Sequence, residues 1–174
     1  MIVISYLISS YNYIIGFLLV LCESFIPILP LGLFITLNVN SFGFIIGTII
    51  SWIGTSLGSI LCYLIFSKIL KKRVLNARAV SKFKNIKFSN LVLIVSLPFT
   101  PSFLVNLISG ICLVPFNKYF FSILIGKIFI VLFWSFIGYN IINYYNNFSI
   151  ILYLFVIIIL LYFISKYISK KFDL

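Results

Sequence analysis

Histidine is missing from the 174 residues, and the acids number only two, Glu23 and Asp173. Metal-dependent catalysis needs clustered His, Cys or carboxylate ligands, and acid–base catalysis needs a positioned partner for each reacting group. The three cysteines, Cys22, Cys62 and Cys112, stand far apart in apolar surroundings with no CxxC spacing. They read as small packing residues. With no nucleophile near a base, the chain reads as a non-enzyme without metal or cofactor. Charge of either sign is scarce as well, at 9% of residues against about 25% in a soluble domain.

Hydrophobic residues make up 63% of the chain, aromatics 19%, and the mean hydropathy is +1.27. Residues 1–22, 24–67, 88–117 and 128–165 carry no charge at all. A membrane-crossing helix needs about 20 apolar residues, so these stretches predict an all-α polytopic membrane protein with residues 1–174 as a single membrane domain. The first residues lack the basic start and small-residue cleavage site of a signal peptide. The net charge of +11 comes from one loop and one tail. That placement excludes a nucleic-acid groove and follows the positive-inside rule.

Eight basic residues lie between Lys68 and Lys87, and Lys166, Lys170 and Lys171 follow near the end. Both groups are expected on the cytoplasmic side, so 88–165 must cross an even number of times. Residues 42–67, 117–140 and 149–165 read as full spans. Loop 68–87 is then cytoplasmic and Asn143–Asn147 an outer turn. Two segments remain, about 12–40 and 89–114, and each is broken by a proline pair: Pro27 with Pro30, and Pro98 with Pro101. Proline removes a backbone donor and pushes its predecessor out of helical geometry.

The pieces beside each break are about 15 Å of helix, half of a hydrocarbon core of roughly 30 Å. These lengths predict two re-entrant helical hairpins entering from opposite faces, an inverted repeat; a kinked full span is the other reading of each. Pro27–Pro30 and Pro98–Pro101 are matching motifs. The triplets Trp52-Ile53-Gly54 and Phe136-Ile137-Gly138 read as a second matching pair, at different spacing.

Glu23 stands beside the first break, where a carboxylate costs roughly 2.5–3.5 kcal/mol on insertion scales. It reads as a proton or cation relay or a gate, or else as a cap on backbone groups at the break. Lys127, about 13 Å of helix beyond Lys118, reads as snorkelling to the surface, pairing with Glu23, or holding an anionic headgroup. Thr100, Ser102, Asn106 and Asn38 supply neutral hydrogen-bonding groups near the breaks, for a substrate or for freed backbone groups. Gly43, Gly47, Gly54 and Gly58 read as close-packing positions.

The strings Glu23-Ser-Phe-Ile-Pro27-Ile-Leu-Pro30, Asn40-Ser-Phe-Gly43, Ser51-Trp-Ile-Gly54-Thr-Ser-Leu-Gly58, Pro98-Phe-Thr-Pro101-Ser-Phe-Leu-Val-Asn106 and Gly126-Lys127 together resemble the DedA-like VTT-domain superfamily, also called the SNARE-associated Golgi protein family. The likeness runs from about residue 15 to 140. It implies opposed re-entrant hairpins around a central site and lipid movement across the bilayer, with polyprenyl-phosphate carrier recycling and membrane-potential homeostasis in bacterial members and phospholipid scrambling in eukaryotic ones. By this resemblance Glu23 matches the acid before the first proline pair, and Pro98, Pro101 and Asn106 match the second hairpin motif. Many relatives carry Arg three residues before the first proline of that motif, where this chain has Val95.

The expected function is therefore a lipid flippase or scramblase of the bacterial cytoplasmic membrane, proton-coupled through Glu23, with a cytoplasmic C-terminus. The candidate transport residues are Glu23, Pro27, Pro30, Pro98, Thr100, Pro101, Asn106 and Lys127. Membrane lipids, a lipid-phosphate substrate and protons are the expected partners, with a homo-oligomer left open. A small ion or solute transporter and a non-transporting assembly or homeostasis factor are the alternatives. Opposed hairpins predict that cysteines introduced beside Pro27 and beside Pro98 react with a membrane-impermeant maleimide from opposite faces of the bilayer. Reaction of both from one face overturns that arrangement.

Overall fold

The structure, a computed structural model, describes residues 12–26, 30–69, 83–143 and 148–172. Pro27, residues 70–82 of the basic loop and residues 144–147 of the expected outer turn lie outside the described residues. Seven helices are described: α1 (Tyr13–Glu23), α2 (Leu31–Phe42), α3 (Phe44–Ile69), α4 (Phe88–Ser96), α5 (Ser102–Ile111), α6 (Phe116–Asn143) and α7 (Phe148–Phe172). The expected spans 42–67, 117–140 and 149–165 fall on α3, α6 and α7. The two proline-broken segments become the short pairs α1–α2 and α4–α5.

Every described proline lies outside a helix, as its missing N–H requires. Pro30 and Pro101 are the N-caps of α2 and α5, Pro98 lies in the second break, and Pro115 sits just before α6. Both short-to-long helix corners use a positive φ, at Gly43 (83°) before α3 and at Leu113 (51°) before α6. Gly43 takes this conformation without a Cβ penalty. Leu113 takes it inside a Schellman turn, in which Val114 N–H bonds Ser109 O at 3.1 Å and Leu113 N–H bonds Gly110 O at 3.2 Å.

Polarity is arranged inside-out. Ile45, Ile49, Ile53, Leu57, Leu61 and Ile65 form an exposed apolar stripe along the whole of α3. Its opposite face buries Ser51, Thr55 and Ser59, also four residues apart. On α6, Phe121, Ile125, Phe129 and Phe136 are exposed, whereas Ser122, Lys127 and Ser135 are buried. Water would drive the reverse assignment; a hydrocarbon solvent favours this one. By length and hydropathy α3 and α6 are suited to cross a bilayer, and the polarity of their faces agrees.

The helices pair in an exchanged pattern. α1 packs on α3 and α4 packs on α6, so each first arm lies on the long helix of its own half. α2 packs on α6 and α5 packs on α3, so each second arm also reaches the long helix of the other half. Every one of these pairings has a glycine at close approach. A Cβ on Gly58 would stand 2.5 Å from Leu21 O of α1, one on Gly126 2.7 Å from Val95 of α4, one on Gly32 2.6 Å from Trp134 of α6, and one on Gly110 2.9 Å from Phe66 of α3.

These contacts revise one sequence match. Gly54 meets Val20 and Phe17 of α1, whereas Gly138 meets Thr36 of α2. Gly126, and not Gly138, is therefore the glycine of α6 that packs on the first arm of its own half, as Gly54 and Gly58 of α3 do.

Two apolar clusters lie at different heights along α3 and α6. One joins Ile60 and Tyr63 of α3 to Leu91, Ile94 and Val95 of α4, Val105 of α5, and Tyr119 and Ile123 of α6. The other joins Val20, Leu31, Phe34 and Ile35 to Ile130 and Val131, with Trp52 and Trp134 packed against it. Lys127 and the stretch Thr55–Ser59 lie between these clusters along their helices. Because Val95 blocks a side chain at Gly126, Gly126→Ala is expected to cost about 1–3 kcal/mol by overpacking. Adding Val95→Ala should recover little of that loss, because the Cβ of residue 95 and Val92 O would still stand 2.8 and 3.1 Å from the new Cβ. Thermal unfolding of the three variants in detergent checks both outcomes.

Candidate functional site

Between the two clusters lies a polar layer, and Glu23 opens it at the last turn of α1. Its carboxylate is 7% exposed, and Oε2 has no hydrogen-bond partner. The ammonium of Lys127, 1% exposed, donates to Ser102 Oγ at 2.8 Å. The Ser102 hydroxyl also lies beside the Glu23 side chain. Ser102 thus stands beside both the buried cation and the buried anion, which attract each other across this space. The snorkelling reading of Lys127 is corrected: about 16 Å into α6 and walled in by α4 and α5, the side chain turns to Ser102 at the start of α5 rather than to the surface.

Ser24, the C-cap of α1, continues the layer. Its hydroxyl donates to Thr55 O at 3.3 Å and lies 3.4 Å from Ser59 Oγ. Its carbonyl, released by the break, accepts from Asn106 Nδ2 at 3.4 Å. Asn106 Oδ1 in turn accepts from Tyr119 OH at 2.7 Å, and the same phenol reaches Ser59 O at 3.0 Å. One chain of hydrogen bonds therefore ties the first break to α5, α6 and α3. Asn106 acts here as a tie between the two broken segments. Asn38 has the comparable place on α2, donating to Ser51 Oγ at 2.9 Å and to Gly16 O at 3.3 Å.

A cavity of about 160 Å³ lies against this layer, lined by Glu23, Leu31, Pro98, Phe99, Thr100, Pro101, Ser102 and Ile130. For scale, an apolar cavity of about 150 Å³ accommodates a benzene molecule. A second void of about 10 Å³, lined by Thr100, Ser102, Asn106 and Lys127 among others, has room for about one water. Thr100 borders both spaces, and its hydroxyl has no partner. The first residues of α2 and α5 face the larger space, and helix N-termini present free N–H groups and a positive partial charge.

Of the sequence candidates, Glu23, Pro98, Thr100 and Pro101 meet at the cavity. Lys127 and Asn106 lie just behind it, Pro30 caps the helix whose Leu31 lines it, and Pro27 is outside the described residues. Ser102 as the bridge, Tyr119, Ser24 and Phe99 are further parts of the site. Tyr119 carries a readable signal: it lies eight residues before Lys127 on α6, hence on the same helical face. Cys62, expected as plain packing, also lies beside Asn106 in the layer.

Removing one member of a buried charge pair leaves the other uncompensated, at a cost of about 3–5 kcal/mol. Lys127→Met is expected to destabilise the protein on that scale. Glu23→Gln with Lys127→Met should be more stable than Lys127→Met alone, as measured by unfolding of purified protein in detergent.

The VTT domain family model matches residues 26–140. The chain is 33% identical over 139 residues to the uncharacterized membrane protein YhjE of Bacillus subtilis (strain 168), covering 75% of this chain and 67% of YhjE. It is 30% identical over 128 residues to the uncharacterized protein YqeD of the same organism, covering 69% of this chain and 62% of YqeD. No solved structure matches. The matched range holds both proline breaks, the Glu23 end of α1 excepted, and the chain belongs to the VTT-domain, DedA-like family of membrane proteins.

Proposed function

We propose that this protein moves a phosphate-bearing lipid across the bacterial cytoplasmic membrane, as a flippase or scramblase. The observation that carries this reading is the cavity at the meeting of two helix breaks, beside the buried Glu23–Ser102–Lys127 group. Irregular backbone at membrane depth persists only where protein or a wet cavity satisfies it. Half-helix N-termini aimed at such a cavity suit an anionic group. α2 and α5 supply two of them, with Lys127 behind as a point charge in place of the Arg absent at Val95.

In this reading α1–α2 and α4–α5 are the two opposed re-entrant hairpins, and α3, α6 and α7 cross the membrane. The basic loop and the C-terminus then lie in the cytoplasm. Glu23 couples movement to protons: its Oε2, buried without a partner, is the place where a proton enters or leaves the layer. The chemistry needed is binding and release rather than bond making, so the protein acts as a carrier and not an enzyme.

The test is reconstitution into liposomes with a chain-labelled fluorescent phospholipid and an outer-leaflet quencher. Inner-leaflet label should become accessible with the wild-type protein. Glu23→Gln should lower the rate about tenfold or more while still inserting and folding. Absence of lipid movement by folded wild-type protein defeats the proposal, and ion flux in its place favours a solute carrier.

A further inference from the structure

Phe99 is the one aromatic ring in the wall of the cavity that contains Glu23. It sits inside the second break, between Pro98 and Thr100, where no helix of its own holds it. Its ring is instead held from outside. The Trp134 ring of α6 meets it edge-on at 6.1 Å, and the Tyr162 ring of α7 meets it edge-on at 5.6 Å. Edge-to-face contacts of this kind contribute about 0.5–1.5 kcal/mol, enough to position a ring and weak enough to part.

Beyond Tyr162 the surroundings change. α7 packs sparsely against the body of the protein. Tyr153, Phe155, Val156, Leu160 and Phe163 on it are all exposed, a surface suited to lipid chains. Phe99 backed by the exposed Tyr162 therefore stands at the rim of a cavity lined by a carboxylate and two hydroxyls, on the side where α7 meets hydrocarbon. α7 also lies past residue 140, where the family match ends. Apart from Glu23, the cavity's lining lies within the matched range, whereas the ring that backs Phe99 lies outside it.

We infer that Phe99 and Tyr162 form the side portal of the cavity, and that they set which lipid headgroups reach Glu23. The headgroup enters past the two rings, which narrow the opening on this side, while its chains stay in the bilayer beside α7. Phe99 and Tyr162 act as size filters and make no chemical contact with the reacting proton. The inference rests on the lipid-transport reading and names the specificity determinant of that same site.

Two measurements test it, one with transport and one without. In liposomes, the movement of chain-labelled phosphatidylglycerol is compared with that of phosphatidylinositol, its bulkier counterpart. Tyr162→Ala should raise the rate of the bulky lipid relative to the small one by about tenfold, the scale on which a pocket discriminates by size. Tyr162→Phe, which keeps the ring, should retain the wild-type ratio. An unchanged ratio in folded Tyr162→Ala overturns the inference and leaves the transport reading intact.

The second measurement uses Trp134 as a reporter in a Trp52→Phe background, the chain having two tryptophans. Brominated lipids should quench Trp134 more strongly in Tyr162→Ala than in the parent protein. Equal quenching overturns the portal even where no lipid moves. Should Tyr162→Ala unfold, Tyr162→Leu takes its place in both experiments.

Discussion

Breaking a helix away from water is the constraint on which the rest of this structure depends. Each break frees backbone groups that a hydrocarbon cannot satisfy, and this chain adds a carboxylate and an ammonium at the same level. The Ser24 carbonyl is met by Asn106, and Asn106 is held by Tyr119. Tyr119 also reaches the Ser59 carbonyl of α3, and on the same inner face Ser51 Oγ accepts from Asn38 and Ser59 Oγ meets Ser24 Oγ, so that face carries hydroxyls instead of leucines. Polar residues inside and isoleucines outside are two results of one requirement. The glycines complete it, since side-chain hydrogen bonds of about 3 Å between helices need backbones close together.

The charged pair follows the same logic. Isolated, Glu23 or Lys127 would carry a large desolvation penalty. Ser102 reduces it by standing beside both: its oxygen accepts from the ammonium, which leaves its single hydrogen for the carboxylate. The arrangement leaves Glu23 Oε2 as the unsatisfied end, on a residue that lines the cavity. The Thr100 hydroxyl, unpartnered on the other side of the same space, repeats the pattern.

Much of the frame is legible in the sequence. Charge-free stretches mark α3, α6 and α7, and the prolines mark both breaks, because these signals depend on composition and local backbone geometry. Glu23 is legible as a site residue because a lone acid among apolar residues demands an explanation. Lys127 is legible in depth but not in partner: spacing along a helix says how far a side chain lies from the end, not which neighbour stands opposite. Ser102 could not be told from Thr100 for that reason. Which glycine of α6 packs on the first arm of its half depends on helix pairing, so the shared aromatic-Ile-Gly pattern pointed to Gly138 while the contact with α4 belongs to Gly126.

The exchange of arms between the two halves has a mechanical consequence. α2 grips the long helix of the second half and α5 grips the long helix of the first, each through a glycine notch. Pulling the halves apart would strip both arms from their seats at once, so separation is the stiff direction. Tilting α3 against α6 is resisted as well, because α2 packs on both long helices and these pack on each other. The two halves are clasped and not merely stacked, so a load applied to either one is carried by both.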